Sequence, residues 1–96
     1  MTKANLDQIK NKAVPILKEA GVTHSALFGS YVRGENKANS DIDILVDLPK
    51  EKGLFDFIEL RLKLEDALDK KVDLVEYSTI KPRLKNNILN DQVRIL

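Results

Sequence analysis

The residues best equipped for chemistry are Asp41 and Asp43, one residue apart at the head of the segment Ile42-Asp43-Ile44-Leu45-Val46. On a strand, side chains i and i+2 share a face, so these carboxylates stand side by side with Cα atoms roughly 6.5–7 Å apart. Two carboxylates that close repel unless a cation or a proton lies between them. Hard oxygen ligands of this kind suit Mg²⁺, which usually takes one or two carboxylates together with substrate phosphates. Ten residues separate Asp41 from Gly29-Ser30. A Gly-Ser turn that opens a helix offers free backbone N–H groups and a hydroxyl, the makings of an anion cradle. Each feature alone is weak, because Gly-Ser turns are common and an Asp-x-Asp pair is also a solvated strand face. Together, a phosphate cradle and a metal-binding carboxylate pair point to nucleotide chemistry.

The elements that must position these residues follow from periodicity and punctuation. Residues 6–20 read as a helix, with Leu6, Ile9, Ala13, Ile16, Leu17 and Ala20 as a core-facing stripe. Asn5 or Thr2 is its candidate N-cap, Pro15 predicts a kink or a restart, and Gly21 is a natural terminator. Residues 22–28 form the first strand. Ser30 caps a short helix through about Arg33, Gly34 ends it, and 35–40 is a polar loop. Residues 42–48 form the second strand, with Ile42, Ile44 and Val46 on one face and Asp41, Asp43, Leu45 and Asp47 on the other. Residues 54–69 read as a second long helix. Its stripe is Phe55, Ile58, Leu62, Glu65 and Leu68, widened by Leu60 and Leu64. Residues 72–77 are a third strand. Ser78 or Thr79 caps a last helix through about residue 89, with Pro82 in its first turn, and residues 93–96 form a short closing strand. The predicted class is α+β (α/β): a small mixed β-sheet of three to four strands with packed helices.

Composition bounds the function classes. At 96 residues the chain is expected to be a single domain, 1–96, with one modest core. A net charge of +1, with Lys and Arg scattered among Asp and Glu, creates no strong field for nucleic acid or membrane. There is no cysteine, so disulfides and thiolate metal sites are excluded. The first ten residues lack the apolar stretch of a signal peptide, and no apolar run approaches a membrane span. A cytoplasmic protein is the expectation. His24 stands alone, without a second histidine for a zinc cluster. Tyr31 either stacks on a nucleotide or covers the sheet edge. Asp47 lies at the far end of its strand and is expected to be solvated. Leu54, Phe55, Phe57 and Ile58 read as core or partner surface.

The stretches Leu27-Phe28-Gly29-Ser30-Tyr31-Val32-Arg33-Gly34-Glu35 and Ser40-Asp41-Ile42-Asp43-Ile44-Leu45-Val46 resemble the nucleotidyltransferase superfamily of DNA polymerase beta. They are most similar to its small prokaryotic minimal nucleotidyltransferase (MNT) proteins. Lys71-Val72-Asp73-Leu74-Val75 resembles the strand that carries the family's third carboxylate, and the tail from Lys81-Pro82-Arg83-Leu84 resembles its closing helix. The resemblance spans nearly the whole chain and implies a polymerase beta-like nucleotidyltransferase core. It implies that Asp41, Asp43 and Asp73 hold Mg²⁺, two ions in all, and that Asp73 accepts the nucleophile's proton. By itself Asp73 is a surface strand acid. Gly29 and Ser30 are expected to hold the β,γ-phosphates of ATP. Arg33 is placed either to add a phosphate contact or to pair with Glu35.

Such MNT proteins are typically encoded beside HEPN-domain proteins as toxin–antitoxin pairs, and members transfer AMP from ATP to a tyrosine hydroxyl of the HEPN ribonuclease toxin. The resemblance therefore implies an antitoxin that is a protein adenylyltransferase, working in a hetero-oligomer with its HEPN partner. The chain is a transfer core and almost nothing else, and its near-neutral charge speaks against gripping nucleic acid unaided. Two other readings stay open: a non-catalytic antitoxin that neutralises by contact, and a nucleotidyltransferase acting on a small-molecule acceptor.

Overall fold

The computed structural model describes residues 3–35 and 40–96. Its elements are α1 (Lys3–Glu19), β1 (His24–Phe28), α2 (Ser30–Arg33), β2 (Ile42–Asp47), α3 (Leu54–Leu68), β3 (Val72–Glu76), α4 (Pro82–Asn90) and β4 (Val93–Arg94), with a 3₁₀ turn, Tyr77–Thr79, between β3 and α4. The strands form one sheet in the order β3-β2-β1-β4. β1 pairs antiparallel with β2 and with β4, while β2 and β3 run parallel. The expected mixed sheet is therefore present. The parallel pair requires a long crossover, and α3 supplies it.

Alternation on β2 selects the buried face. Ile42, Ile44 and Val46 are almost fully buried against α1, which contributes Ile9, Ala13 and Leu17, and α3, which contributes Leu60 and Leu64. The opposite face of β2 carries Asp43, Leu45 and Asp47. It is not open throughout, because Leu45 and its register partner Ala26 are also fully buried. The hydroxyl of Ser25, the one fully buried polar residue among those described, donates to the Leu45 carbonyl at 2.7 Å, which removes the penalty of an unpaired buried donor.

Several boundaries differ from the sequence reading. α1 begins at Lys3, so Asn5 lies within the helix rather than capping it, and Thr2 falls outside the described residues. Pro15 is accommodated inside α1 without splitting the element. Of the expected polar loop, 36–39 lies outside the described residues. Lys81, not Ser78 or Thr79, is the N-cap of α4, with Pro82 in the first turn. Those two residues belong instead to the 3₁₀ turn, where the Thr79 hydroxyl donates to the Glu76 carbonyl at 2.9 Å.

The largest difference is the rotation of α3. Leu60 and Leu64 face the core, flanked by half-buried Phe57 and Leu68, while Phe55 is 87% and Leu62 53% exposed. Both stripes have helical spacing. The Phe55–Leu62 stripe, however, shares its side of the helix with Glu59 and Asp66, and turning it inward would take those charges out of water. No helix among the described residues is long and apolar enough to cross a membrane.

Candidate active site

The predicted site residues gather where β1 ends and β2 and β3 begin. Phe28, Asp43 and Asp73 form one row across the sheet, with Phe28 opposite Asp43 in the antiparallel pair and Asp43 beside Asp73 in the parallel pair. Neighbouring strands lie about 4.8 Å apart, so the Asp43 and Asp73 carboxyls meet. Asp41 immediately precedes β2 and is exposed, Asp73 is exposed, and Asp43 is half-buried between them.

This crowding shows in the acidity of Asp43, whose pKa is pushed up to about 6 from 3.8. Burial is the largest cause, followed by the charge of Asp73, the hydrogen bond with Asp73 and the charge of Asp41; Arg33 pulls the other way. In the metal-free protein, a proton does part of the work a cation would do.

The Gly-Ser turn closes the other side. Gly29 has φ +79° and ψ −152°, a combination open essentially to glycine alone. A Cβ at Gly29 would lie 2.8 Å from Asp43 Cγ and closer still to Oδ2. The missing side chain is thus what lets the carboxyl seat itself against the turn. Gly29, not Ser30, is the N-cap of α2, its carbonyl accepting from the Val32 and Arg33 amides at 3.2 Å each, and Ser30 is the first residue of the helix. Gly34, at φ +74°, ends the helix as its left-handed cap, as expected.

Tyr31 is a finding that sequence left between two roles. It is 4% exposed, part of the core, and its hydroxyl donates to the Ser40 carbonyl at 3.5 Å. It therefore links α2 to the entry of β2, one residue before Asp41, and does not offer a ring face for stacking. Arg33 pairs with Glu35 at 3.2 Å on the surface. His24 is exposed and lies 3.7 Å from Asp47, at the far end of the acidic face, and neither approaches the carboxylate row.

Among the described residues, no group of three or more His, Asp or Glu side chains forms a metal cage by itself. That does not disqualify the site for Mg²⁺, which dehydrates reluctantly and is normally held by one or two carboxylates plus substrate phosphates. A pair of adjacent carboxyls beside a turn that a Cβ would block fits that donor set.

The nucleotidyltransferase domain family model matches residues 10–95 of the chain. The chain belongs to the nucleotidyltransferase domain family. This nucleotidyltransferase is 39% identical to protein adenylyltransferase MntA of Thermococcus cleftensis, covering 99% of this chain and all of that one. It is 47% identical to a protein of Methanocaldococcus jannaschii provisionally named a protein adenylyltransferase, over 96% of this chain and 99% of that one. Among solved structures it is similar to a minimal nucleotidyltransferase (TM-score 0.83, 30% identity, 97% of this chain and 95% of that one). It is also similar to a chain of a toxin–antitoxin structure with AMP-PNP (TM-score 0.79, 31% identity, 91% of this chain and 72% of that one). A third neighbour belongs to a complex of tri-AMPylated Shewanella oneidensis HEPN toxin with MNT antitoxin (TM-score 0.71, 28% identity, 92% and 69% covered). The four-stranded mixed sheet is the polymerase beta-like core expected from the sequence.

Glu65 is the residue whose role sequence spacing missed. Its spacing puts it in the apolar stripe of α3. In the structure, its carboxylate accepts from the Val72 amide at 2.9 Å and from Arg61 at 3.3 Å. A glutamate within an apolar pattern was the available signal, since a carboxylate leaves water only when it is paired.

Proposed function

We propose that this nucleotidyltransferase is the antitoxin of a HEPN toxin and transfers AMP from ATP to a tyrosine hydroxyl of that partner, acting in the prokaryotic cytoplasm as one domain, 1–96. The observation that carries the reading is the seating of Asp43 against Gly29 on one side and beside Asp73 on the other. A phosphate-binding turn and a metal-binding pair then face the same point. The relatives named protein adenylyltransferase and the structural neighbours with HEPN toxin support the choice of acceptor.

In this reading, the amides of the Gly29-Ser30 turn and the Ser30 hydroxyl hold the β,γ-phosphates of ATP. Asp41, Asp43 and Asp73 hold two Mg²⁺ ions, which when bound stabilise the attacking and leaving oxygens. Asp43, placed between the other two acids, would contribute its carboxylate to that set. The tyrosine oxygen bonds to the α-phosphorus while the bond from that phosphorus to the bridging oxygen breaks, and pyrophosphate leaves. The proton of the tyrosine hydroxyl passes to an oxygen of Asp73, which solvent reaches freely. Arg33, released from Glu35, adds a charge-assisted contact to the phosphates. The transferred phosphate brings negative charge to the toxin surface, which disfavours RNA there.

The test mixes the purified chain with Mg²⁺ and α-labelled ATP, with and without the HEPN protein encoded beside it. The expected result is a mass increase of one or more AMP units on the partner, lost when Asp41 and Asp43 are both replaced by Asn. Neutralisation of the toxin that survives Asp41→Asn/Asp43→Asn would show that contact, not transfer, disarms it.

A further inference from the structure

The peptide unit joining Lys71 to Val72 is held from both sides. Its carbonyl, on Lys71, accepts from the Ile42 amide at 2.9 Å. Ile42 is the residue between Asp41 and Asp43. Its N–H, on Val72, donates to Glu65 Oε2 at 2.9 Å, while Glu65 Oε1 accepts from Arg61 Nη1 at 3.3 Å. The two groups of a trans peptide point in opposite directions. With the carbonyl directed at β2, the Val72 N–H points away from it, toward the sheet edge that β3 forms. An edge amide ordinarily goes to water. Here a carboxylate from α3 takes it, one residue before Asp73.

We propose that Glu65 is a positioning residue for Asp73, fixing the height of β3 along β2 so that the Asp73 carboxylate stays level with Asp43. This rests on the assignment of Asp73 to the metal site. The crossover makes such a fastening necessary. β3 is five residues long and is delivered by the 15-residue helix α3. Its start has β2 on one side only, and the Asp43–Asp73 pair repels when both are ionised. The Glu65 bond ties β3 to α3 at the point where that repulsion acts. Arg61, one helical turn earlier, holds the Glu65 side chain in place from the same helix.

The test uses Mn²⁺ as the probe, read by electron paramagnetic resonance, and the exchange rate of the Val72 amide in the metal-free full chain. Glu65→Ala and Glu65→Asp, which removes the reach but keeps the charge, are expected to weaken Mn²⁺ binding about 10- to 100-fold and to unprotect the Val72 amide. Glu65→Gln, whose amide oxygen still accepts from Val72, stays near wild type. In an Asp73→Asn background, Glu65→Ala adds no further loss, because the two act through one ligand. Retained affinity in a folded Glu65→Ala protein would overturn the proposal. So would an undiminished effect in the Asp73→Asn background, or the reverse order in which Asp is tolerated and Gln is not. Should Glu65→Ala fail to fold, the contrast between Asp and Gln decides. Because neither readout needs ATP or partner, a wild-type chain that binds Mn²⁺ but transfers no AMP would remove the proposed function and leave this inference standing. A wild-type chain that binds no Mn²⁺ would remove both.

Discussion

The carboxyl of Asp43 occupies space that any side chain at residue 29 would need: a Cβ on Gly29 would stand 2.8 Å from Asp43 Cγ. Gly29→Ala is therefore expected to do two kinds of damage. The backbone at φ +79°, ψ −152° costs a non-glycine residue about 1–3 kcal/mol, which thermal unfolding will read. The displaced carboxyl is expected to cut AMP transfer by about 100-fold or more, as an ångström of misplacement does at a reacting centre. A Gly29→Ala chain with wild-type transfer rate would separate Asp43 from the chemistry.

The acidity of Asp43 makes stability depend on pH in a defined sense. Its pKa is 3.8 unfolded and about 6 folded, so between those values the native state holds a proton that the unfolded state has lost. Stability from this group is therefore undiminished below about pH 4, declines as pH rises toward 6, and is level above. Metal-free wild type is expected to show that decline in melting temperature, and Asp43→Asn to lack it and to melt higher at pH 7. Mg²⁺ requires the ionised form, so the rise in melting temperature that Mg²⁺ brings is expected to fade below about pH 6.

Tyr31 separates packing from hydrogen bonding. Its ring is buried and its hydroxyl makes one long bond to the Ser40 carbonyl. Tyr31→Phe is expected to cost at most about 1 kcal/mol and to lower transfer several-fold by loosening the approach to Asp41. Tyr31→Ala removes the ring from the core and is expected to cost about 3–5 kcal/mol. Denaturant titration of both variants checks the ratio.

Pro15 sits on the exposed side of α1, on a helix whose buried side packs against the core face of the sheet, away from the carboxylate row. It has no N–H to return to the Asn11 carbonyl. Pro15→Ala is expected to raise stability by about 1–3 kcal/mol with transfer unchanged, since the bond regained is local to the helix.

What was legible in the sequence was local. Ile42, Ile44 and Val46 alternate with Asp41 and Asp43, and a period of two assigns faces without knowledge of anything else. Gly29-Ser30 and Gly34 mark both ends of α2 because each end needs backbone geometry that few residues supply. The choices that sequence left open depend on distant partners. The rotation of α3 is decided by α1 and the sheet, and by which charges must stay in water. Tyr31 is committed to the core by the space between α2 and β2. Glu65 finds its donor seven residues later, on a strand whose position α3 itself determines. The start of α4 moved because Tyr77 to Thr79 closed into a 3₁₀ turn before Pro82 began the helix.

Asp41 and Asp73 are exposed and Asp43 is half-buried, so solvent reaches the carboxylate row. A phosphorus atom held beside those carboxylates would share their exposure to solvent. The natural rival of any acceptor is then water itself. On the proposed function, preference for a tyrosine over hydrolysis is then expected to rise in the assembled complex, where the molecule being modified also shields the phosphorus from water.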